Sequence, residues 1–424
     1  MKFKMQQKQN QLIQRISDQH LVVGVDIGQQ VHVARSVNFR GIVLGKPISF
    51  GNHEDGFKRL LHWINNLLNE HSLDKIIVGM EPTGHYWLNL SKWLKEHNIE
   101  VVLVNPHLVK KNKENRDNSQ SKSDIKDALV IADMVKNGYY AFTRANSETF
   151  EKLRIYMSNR DVVVKRLVTT KNQLHRWVEI VFPELQQVFK DITLKGAIAT
   201  LRSFPTPGEL SGLQPEDIVN KWRLIMKRHA GLPKARLLID LAKRSVGTQI
   251  AIEAHKLHLQ QLLEEYDLAT AQLEAIEQEV TEVLMQISCA KKMLAIKGIS
   301  PITLAGILGE SGDLSGFTHG NALLRHAGLH LVEASSGKWK GQIVLSKRGR
   351  SRLRRYLFMA TIALVMNNAE FKALHALNVK VKKRKKIKSI MKLCGKLARI
   401  LVGMARNGLE YTPEKVFPIT ELAA

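Results

Sequence analysis

"LVVGVDIGQQVHVARSVNFRGIVLGKPISF", residues 21–50, decides the fold. It reads as three short strands, "LVVGVDIG", "VHVARSVNF" and "IVLGKPISF", apolar and β-branched inside and punctuated by Gly or Pro. Beyond residue 50, helices and strands alternate. "EDGFKRLLHWINNLLNEH" (54–71) has apolar residues at helical spacing, and "DKIIVGMEP" (74–82) is a strand stopped by Pro82. "YWLNLSKWLKEHN" (86–98) is a helix, and "IEVVLVNP" (99–106) a strand ended by Pro106. A polar, basic stretch, "KKNKENRDNSQSKS" (110–123), leads into a last helix that opens "SKSDIKDALVIADMV" (121–135). Three strands, helix, strand, helix, strand, helix is the order of an RNase H-like α/β domain. We expect it over residues 21–145, after a polar extension at 1–20.

Beyond residue 145 the strand signals stop. A helical region is expected over 146–290. Its first helix, "ETFEKLRIYMSNRDVVVKRLVTTKNQLHRWVEIVF", ends at Pro183, and an insertion of mixed character lies near 185–250. From Leu259 a seam of Leu262, Tyr266, Ala269, Leu273, Ile276, Val280 and Val283 steps by three and four, as in a coiled coil. Its flanks are acidic (Glu264, Glu265, Asp267, Glu274, Glu277, Glu279, Glu282), which would repel phosphate. The seam should therefore pack on protein, either the 146–180 helix or a second copy of the chain, and a helical dimer contact is expected. The final region, 291–424, is mainly helical and basic. Its turn Gly298-Ile299-Ser300-Pro301 resembles a helix-hairpin-helix, whose backbone N–H groups can face a phosphate.

Lys and Arg number 64 against 39 Asp and Glu, a formal charge of +25 in 424 residues. An excess of this size calls for a polyanion, and nucleic acid is the natural one. No amphipathic anchor, lipidation motif or apolar run of membrane-spanning length is evident, so no membrane partner is expected. Two cysteines, Cys289 and Cys394, are too few for a disulfide framework and suit a reducing, cytoplasmic setting. Sixteen basic residues fall in two runs, "KWKGQIVLSKRGRSRLRRYL" (338–357) and "KVKKRKKIKSIMK" (380–392). The first is interleaved with apolar residues and should be folded surface. Its Lys338, Lys340, Lys347, Arg348, Arg350, Arg352, Arg354 and Arg355 are the candidate nucleic-acid contacts.

Against this charge, Asp124 and Asp127 stand three apart at a helix start, where Ser123 could cap and early acids suit the dipole. Asp26 closes the first strand and Glu81 the fourth. In an RNase H-like sheet those strands are neighbours, and the helix after the fifth strand crosses the same end. Four carboxylates brought together there would repel one another unless divalent cations sat between them. Oxygen ligands suit Mg²⁺ or Mn²⁺, and two such ions can serve a phosphodiester displacement. An actin-like phosphate loop at "DIG" would need a second Asp-x-Gly, and the chain has none.

At these residues the sequence resembles the DEDD transposases of insertion sequences, specifically the insertion-sequence one-ten family of serine-dependent recombinases. "VGVDIGQQVHVA", "MEPTGHYW", "VNPHLVKK" and "SKSDIKDALVIA" carry the likeness in the first half. "LAIKGISPITLAGIL", "LLRHAGLHLVEASSGKWKGQIVLSKRGRSRLRRYL" and "KLARILVGMARNG" carry it in the second. The resemblance implies a RuvC-like nuclease domain in which Asp26, Glu81, Asp124 and Asp127 hold Mg²⁺. It implies a C-terminal serine that attacks DNA and forms a phosphoserine. That serine follows "AGL", precedes a Gly and lies upstream of the "SKRG" element, which places it at Ser336, with Ser335 adjacent. The likeness further implies donor and target DNA, a structured non-coding RNA, a dimer that becomes a tetramer on nucleic acid, and a prokaryotic, nucleoid-associated setting. The competing readings are a RuvC-like junction nuclease using water and a non-catalytic DNA-binding protein.

Overall fold

The computed structural model describes residues 2–82, 84–112, 123–142, 147–225, 231–333, 335–336 and 339–416. The chain divides into two compact units, Met1–Ala145 and Asn146–Ala424. The first unit runs α1 (Lys2–Gln14), β1 (His20–Asp26), β2 (Val31–Val37), β3 (Val43–Gly51), α2 (Glu54–Glu70), β4 (Lys75–Met80), α3 (Trp87–Glu96), β5 (Glu100–Val104), α4 (Pro106–Asn112), α5 (Asp124–Lys136) and β6 (Tyr140–Phe142). Its six strands lie in the order β3-β2-β1-β4-β5-β6. β1–β2 and β2–β3 pair antiparallel, β1–β4 and β4–β5 parallel, and β5–β6 antiparallel.

Side chains alternate between the two faces of this sheet. Leu21, Val23, Val25, Val78 and Met80 pack with the apolar residues of α2 and α3. Val22 and Ile77 pack on the other face with Val130, Ile131, Met134 and Val135 of α5. α2 starts where the His53 side chain accepts the Gly56 N–H, and acids fill its first turn, as the helix dipole favours. Three elements differ from expectation: the short helix α4 follows the strand that ends at Pro106. The polar extension contains α1, and a sixth strand, too short to show a period, joins the sheet after α5.

The second unit is helical apart from short strands. It contains α6 (Glu148–Val181), α7 (Leu185–Val188), α8 (Lys195–Ser203), α9 (Pro207–Ser211), α10 (Pro215–Ile225), α11 (Gly231–Lys243), α12 (Ile252–Met285), α13 (Ala290–Leu294), α14 (Pro301–Ser311) and α15 (Gly320–His326). Strands β7 (Leu331–Val332), β8 (Ser335–Ser336), β9 (Trp339–Lys340) and β10 (Val344–Leu345) come next, then α16 (Ser351–Asn367), α17 (Ala369–Ala376), a π-helical turn (Leu377–Val381), α18 (Lys386–Asn407) and α19 (Pro413–Val416).

α6 and α12, 34 residues each, pack along one another. Ala269, Ile276, Val280 and Val283 of the heptad seam are buried with Leu153, Met157 and Val163 of α6. The acidic flank meets basic residues of the same chain: Arg160 pairs with Glu277 at 2.6 Å and Arg202 with Asp267 at 2.5 Å, and Tyr156 donates to Glu279 at 3.1 Å. The seam is thus occupied within the chain, and the dimer contact expected of it is corrected. An antiparallel partner was already available 100 residues upstream, and its cations match the acids.

Residues near 185–250, read as mixed, are the five helices α7–α11, which share a second core with the end of α6 and the start of α12. Trp177 and Trp222 anchor it, their indole N–H groups donating to the His255 carbonyl at 2.8 Å and the Thr200 hydroxyl at 2.9 Å. The stretches expected to part at residue 290 share one core, with α6, α12, α14, α16 and α18 all contributing. The Gly298 turn is also a packing device. A Cβ there would stand 3.1 Å from the Ala363 carbonyl oxygen and 3.2 Å from Leu364 Cα of α16, so the turn is pressed onto that helix. Among the described residues no single helix is long and apolar enough to cross a membrane.

Candidate active site

In the first unit the carboxylates are placed by sheet register. β1 and β4 run parallel with Gly24 opposite Gly79 and Val25 opposite Met80, so Asp26 and Glu81 come next, side by side at the strand ends. Alternation from Val22 and Gly24, and from Ile77 and Gly79, puts both acids on the face that α5 covers. The two glycines let α5 settle close. A Cβ on Gly24 would lie 2.1 Å from the Ala128 carbonyl oxygen, and one on Gly79 would lie 2.3 Å from Val135 Cγ2. Ala128 and Ala132 of α5 therefore press on β1 at Gly24, and Val135 presses on β4 at Gly79.

The two aspartates of α5 differ in environment. Asp127 is 4 % exposed, whereas Asp124, the first helical residue, is exposed. Ser123 occupies the N-cap position, but its side chain makes no capping hydrogen bond. Among the described residues no three His, Cys, Asp or Glu side chains form a group able to hold a metal ion. Sheet register thus carries Asp26 and Glu81 to one face of the sheet, and among the described residues the four predicted acids do not close into a ligand shell. Their donor chemistry fits a hard divalent ion, since every one offers carboxylate oxygens at a helix start and two strand ends.

The sequence reading missed His32. It is fully buried on the opposite face, 5.3 Å from Phe50 and 6.4 Å from Phe57 between ring centroids. Its Nδ1 accepts the Gly28 N–H at 3.2 Å, so the neutral ring carries its proton on Nε2. Asn52 holds the next residues, with Nδ2 donating to the Gln29 carbonyl at 3.2 Å and its backbone N–H to the Gln30 carbonyl at 2.8 Å. Together they brace the loop that leaves Asp26. Burial pushes the His32 imidazole below its usual pKa, with the Asn52 side chain pulling weakly the other way. The signal available in the sequence was a histidine alternating into the apolar face of a strand.

In the second unit Ser336 lies in a β-hairpin. β7 pairs antiparallel with β10 through Val332–Val344 and Leu331–Leu345, and further out Ser335 faces Lys340 and Ser336 faces Trp339. Lys338 lies outside the described residues, and Lys340 is placed by its strand pairing alone. The "AGL" and "SKRG" elements close the hairpin's base. Lys347 N–H donates to the Gly328 carbonyl at 2.9 Å and Arg350 N–H to the His326 carbonyl at 2.9 Å. A Cβ on Gly349 would stand 2.4 Å from Gly328 N, so the two strands of chain cross in contact.

The basic run beyond the hairpin is divided by its partners. Asp161 of α6, its side chain 11 % exposed, takes Arg355 at 2.6 Å and Arg352 at 3.3 Å. Glu310 of α14 takes Arg350 at 3.3 Å. Arg354 donates to the Ala327 and Lys347 carbonyls. These four arginines secure α16 to the unit, while the exposed Lys347 and Arg348 face solvent. Neither cysteine is poised as a nucleophile, and burial pushes the Cys394 thiol up to about 11.

Comparison with known proteins decides the family. A family model for the DEDD transposases of IS110, described as a transposase, matches residues 23–183. A second, described as the transposase IS116/IS110/IS902 family, matches residues 290–376. The chain belongs to the IS110 family of insertion-sequence transposases. It is 23 % identical over 309 residues to the 44.8 kDa protein of insertion element IS116 from Streptomyces clavuligerus, covering 72 % of this chain and 75 % of that one. It is 24 % identical over 327 residues to a protein named for the IS117 mini-circle transposase of Streptomyces coelicolor, covering 74 % and 77 %. The first IS110 match holds Asp26, Glu81, Asp124 and Asp127, and the second holds the whole hairpin with Ser336. A transposase acts on DNA, which agrees with the charge.

Proposed function

We propose that this transposase cuts and rejoins DNA through a covalent phosphoserine at Ser336, with Mg²⁺ or Mn²⁺ held by Asp26, Glu81, Asp124 and Asp127. The observation that supports this reading is the register of β1 and β4, which runs on toward Asp26 and Glu81 on the sheet face that α5 covers. We read the sheet as RNase H-like: its three antiparallel strands, followed by parallel strands on the other side of β1, support that description.

The chemistry assigns one task to each part. The bound ion would supply charge neutralisation at the phosphate. The carboxylates would set its position, and the His32–Asn52 brace fixes the loop that follows Asp26. The Ser336 hydroxyl loses its proton and its oxygen bonds to phosphorus, as one deoxyribose oxygen leaves and takes up a proton. The ester conserves the bond energy, so a second deoxyribose hydroxyl can displace the serine and join a new strand. Lys347 and Arg348 hold backbone phosphates.

A structured non-coding RNA that chooses sites by base pairing is part of the proposal on the strength of family resemblance. Such a partner leaves the protein to recognise backbone and shape. Homo-oligomers, a dimer and on nucleic acid a tetramer, would be built through faces other than the 259–283 seam. The test is strand cleavage by the full chain on element-end DNA, with Mg²⁺ present or chelated. Cleavage that survives chelation would refute the metal site.

A further inference from the structure

The second basic run is unlike the first. Lys380–Lys388, "KVKKRKKIK", holds seven cations in nine positions and no acid. All nine residues are exposed. Asp161 and Glu310 neutralise much of the 350–355 run. No ion pair or hydrogen bond, by contrast, ties down any of these seven side chains among the described residues.

The segment is nonetheless a built turn. It leaves α17 through the π-helical turn, where Lys382 N–H donates to the Leu377 carbonyl and Arg384 N–H to the Asn378 carbonyl, each at 2.9 Å. Asn378 and Ser389, at its two ends, are buried, and the His375 ring meets the Ser389 hydroxyl at 2.9 Å. Lys383 takes a left-handed conformation at φ 47°. Lys385, Lys386 and Lys388 then crowd the start of α18, which has no acid in its first turn and no side-chain cap. A helix start disfavours cations, and like charges this close repel within a Debye length of ~8 Å. Folding alone gives no reason to fix seven charges here. An anionic polymer does.

We propose that Lys380–Lys388 is a second nucleic-acid-binding surface that grips the phosphodiester backbone and contributes affinity, not sequence choice. The inference rests on the reading of this chain as a transposase acting on DNA. Six of the seven cations are lysines, compact point charges suited to phosphate, and only Arg384 has the planar fork that reads a base edge. The braced turn keeps all seven cations exposed within nine residues of chain.

The test compares the full chain with a variant carrying Lys382→Gln, Lys383→Gln, Arg384→Gln and Lys385→Gln, and with a charge-keeping variant carrying Lys382→Arg, Lys383→Arg and Lys385→Arg. Affinity is measured against salt for two duplexes of unrelated sequence and for a structured RNA. The slope of log affinity against log salt should fall by about 0.9 per lost contact on duplex DNA, up to about 3.6 for the four substitutions, and by the same amount on both sequences. The charge-keeping variant should retain the wild-type slope, which separates charge from folding. A fall on DNA alone assigns the surface to DNA, on RNA alone to RNA, and on both to either backbone. Unchanged slopes on all three would overturn the proposal, as would a loss confined to one DNA sequence. Covalent capture of DNA at Ser336 is scored separately at saturating protein. A wild type that binds with the steep slope yet captures nothing leaves this surface standing and removes the serine mechanism.

Discussion

Gly24 and Gly79 lie opposite one another in β1 and β4, and neither leaves room for a methyl group beneath α5. This pair lets one helix ride low over two strands whose next residues are acidic. The carboxylate site proposed above depends on how closely helix and sheet approach.

Gly24→Ala should therefore act on fold and function together. Its new Cβ would meet the Ala128 carbonyl oxygen at 2.1 Å and Ala132 N at 2.4 Å, both backbone, so α5 must lift. Overpacking of this kind costs about 1–3 kcal/mol. A urea titration of the full chain should show that loss, and cleavage should fall with it. Wild-type stability in this variant would mean that α5 does not press on β1.

Asp127→Asn and Asp124→Asn keep shape and remove one charge each. Both should reduce Mg²⁺-dependent cleavage on the order of a hundredfold or more, since the positioning of a metal's ligands is lost. DNA affinity should be nearly unchanged on a +25 protein. Asp127→Asn should be the more severe, because its carboxylate is buried beside the sheet while Asp124 is exposed. Equal, full cleavage by both variants would remove α5 from the site.

Within the 347–355 run the structure predicts two kinds of arginine and lysine. Lys347→Gln with Arg348→Gln should flatten the salt dependence of DNA binding by about two, at ~0.9 per contact. Arg352→Gln and Arg355→Gln should instead destabilise the unit, by about 1–3 kcal/mol, because they strip partners from the nearly buried Asp161 carboxylate. Solvent screening at the half-exposed guanidiniums keeps that figure below the fully buried case. Parallel melts and binding isotherms separate the two. An unaltered melt for both arginine variants would return them to the binding surface.

These divisions show what the sequence could and could not disclose. The first five strands and the helices between them are legible, because Gly and Pro punctuate them and their apolar periods are local. Asp26 and Glu81 are legible as neighbours once the strand order is known. The partners of Arg352 and Arg355 are not, since Asp161 lies some 190 residues away and nothing local announces it. The hairpin around Ser336 escapes because its strands are two residues long, and polar or basic residues interrupt any alternation. β6 escapes for the same reason. The seam of α12 is legible as a seam, but a heptad does not say whether its partner is in the same chain.

His32 gives a pH dependence with a definite sign. Burial holds its folded pKa below the unfolded value, so at higher pH both states are neutral and it contributes nothing to the slope. As pH falls through about 6.5, the unfolded chain takes a proton that the folded chain refuses, and stability drops. His32→Gln should lessen the fall in melting temperature between pH 7 and pH 5, although His20 and His330, also lowered by burial, retain their share. The same variant should weaken cleavage by loosening the loop after Asp26. An identical pH profile in wild type and variant would show that His32 is not buried as the neutral ring.

The most direct test of the serine mechanism is to trap the reaction and ask what the DNA is attached to. The full chain is incubated with labelled element-end DNA in Mg²⁺, quenched in denaturant and resolved by size, and the shifted species is digested and mapped. A covalent DNA–peptide adduct is expected on Ser336, lost in Ser336→Ala together with strand joining, while that variant still binds DNA. Ser335→Ala should retain the adduct. An adduct mapped to Ser335 would move the nucleophile by one residue along β8, and free-ended cleavage by Ser336→Ala would contradict the mechanism outright and make water the nucleophile.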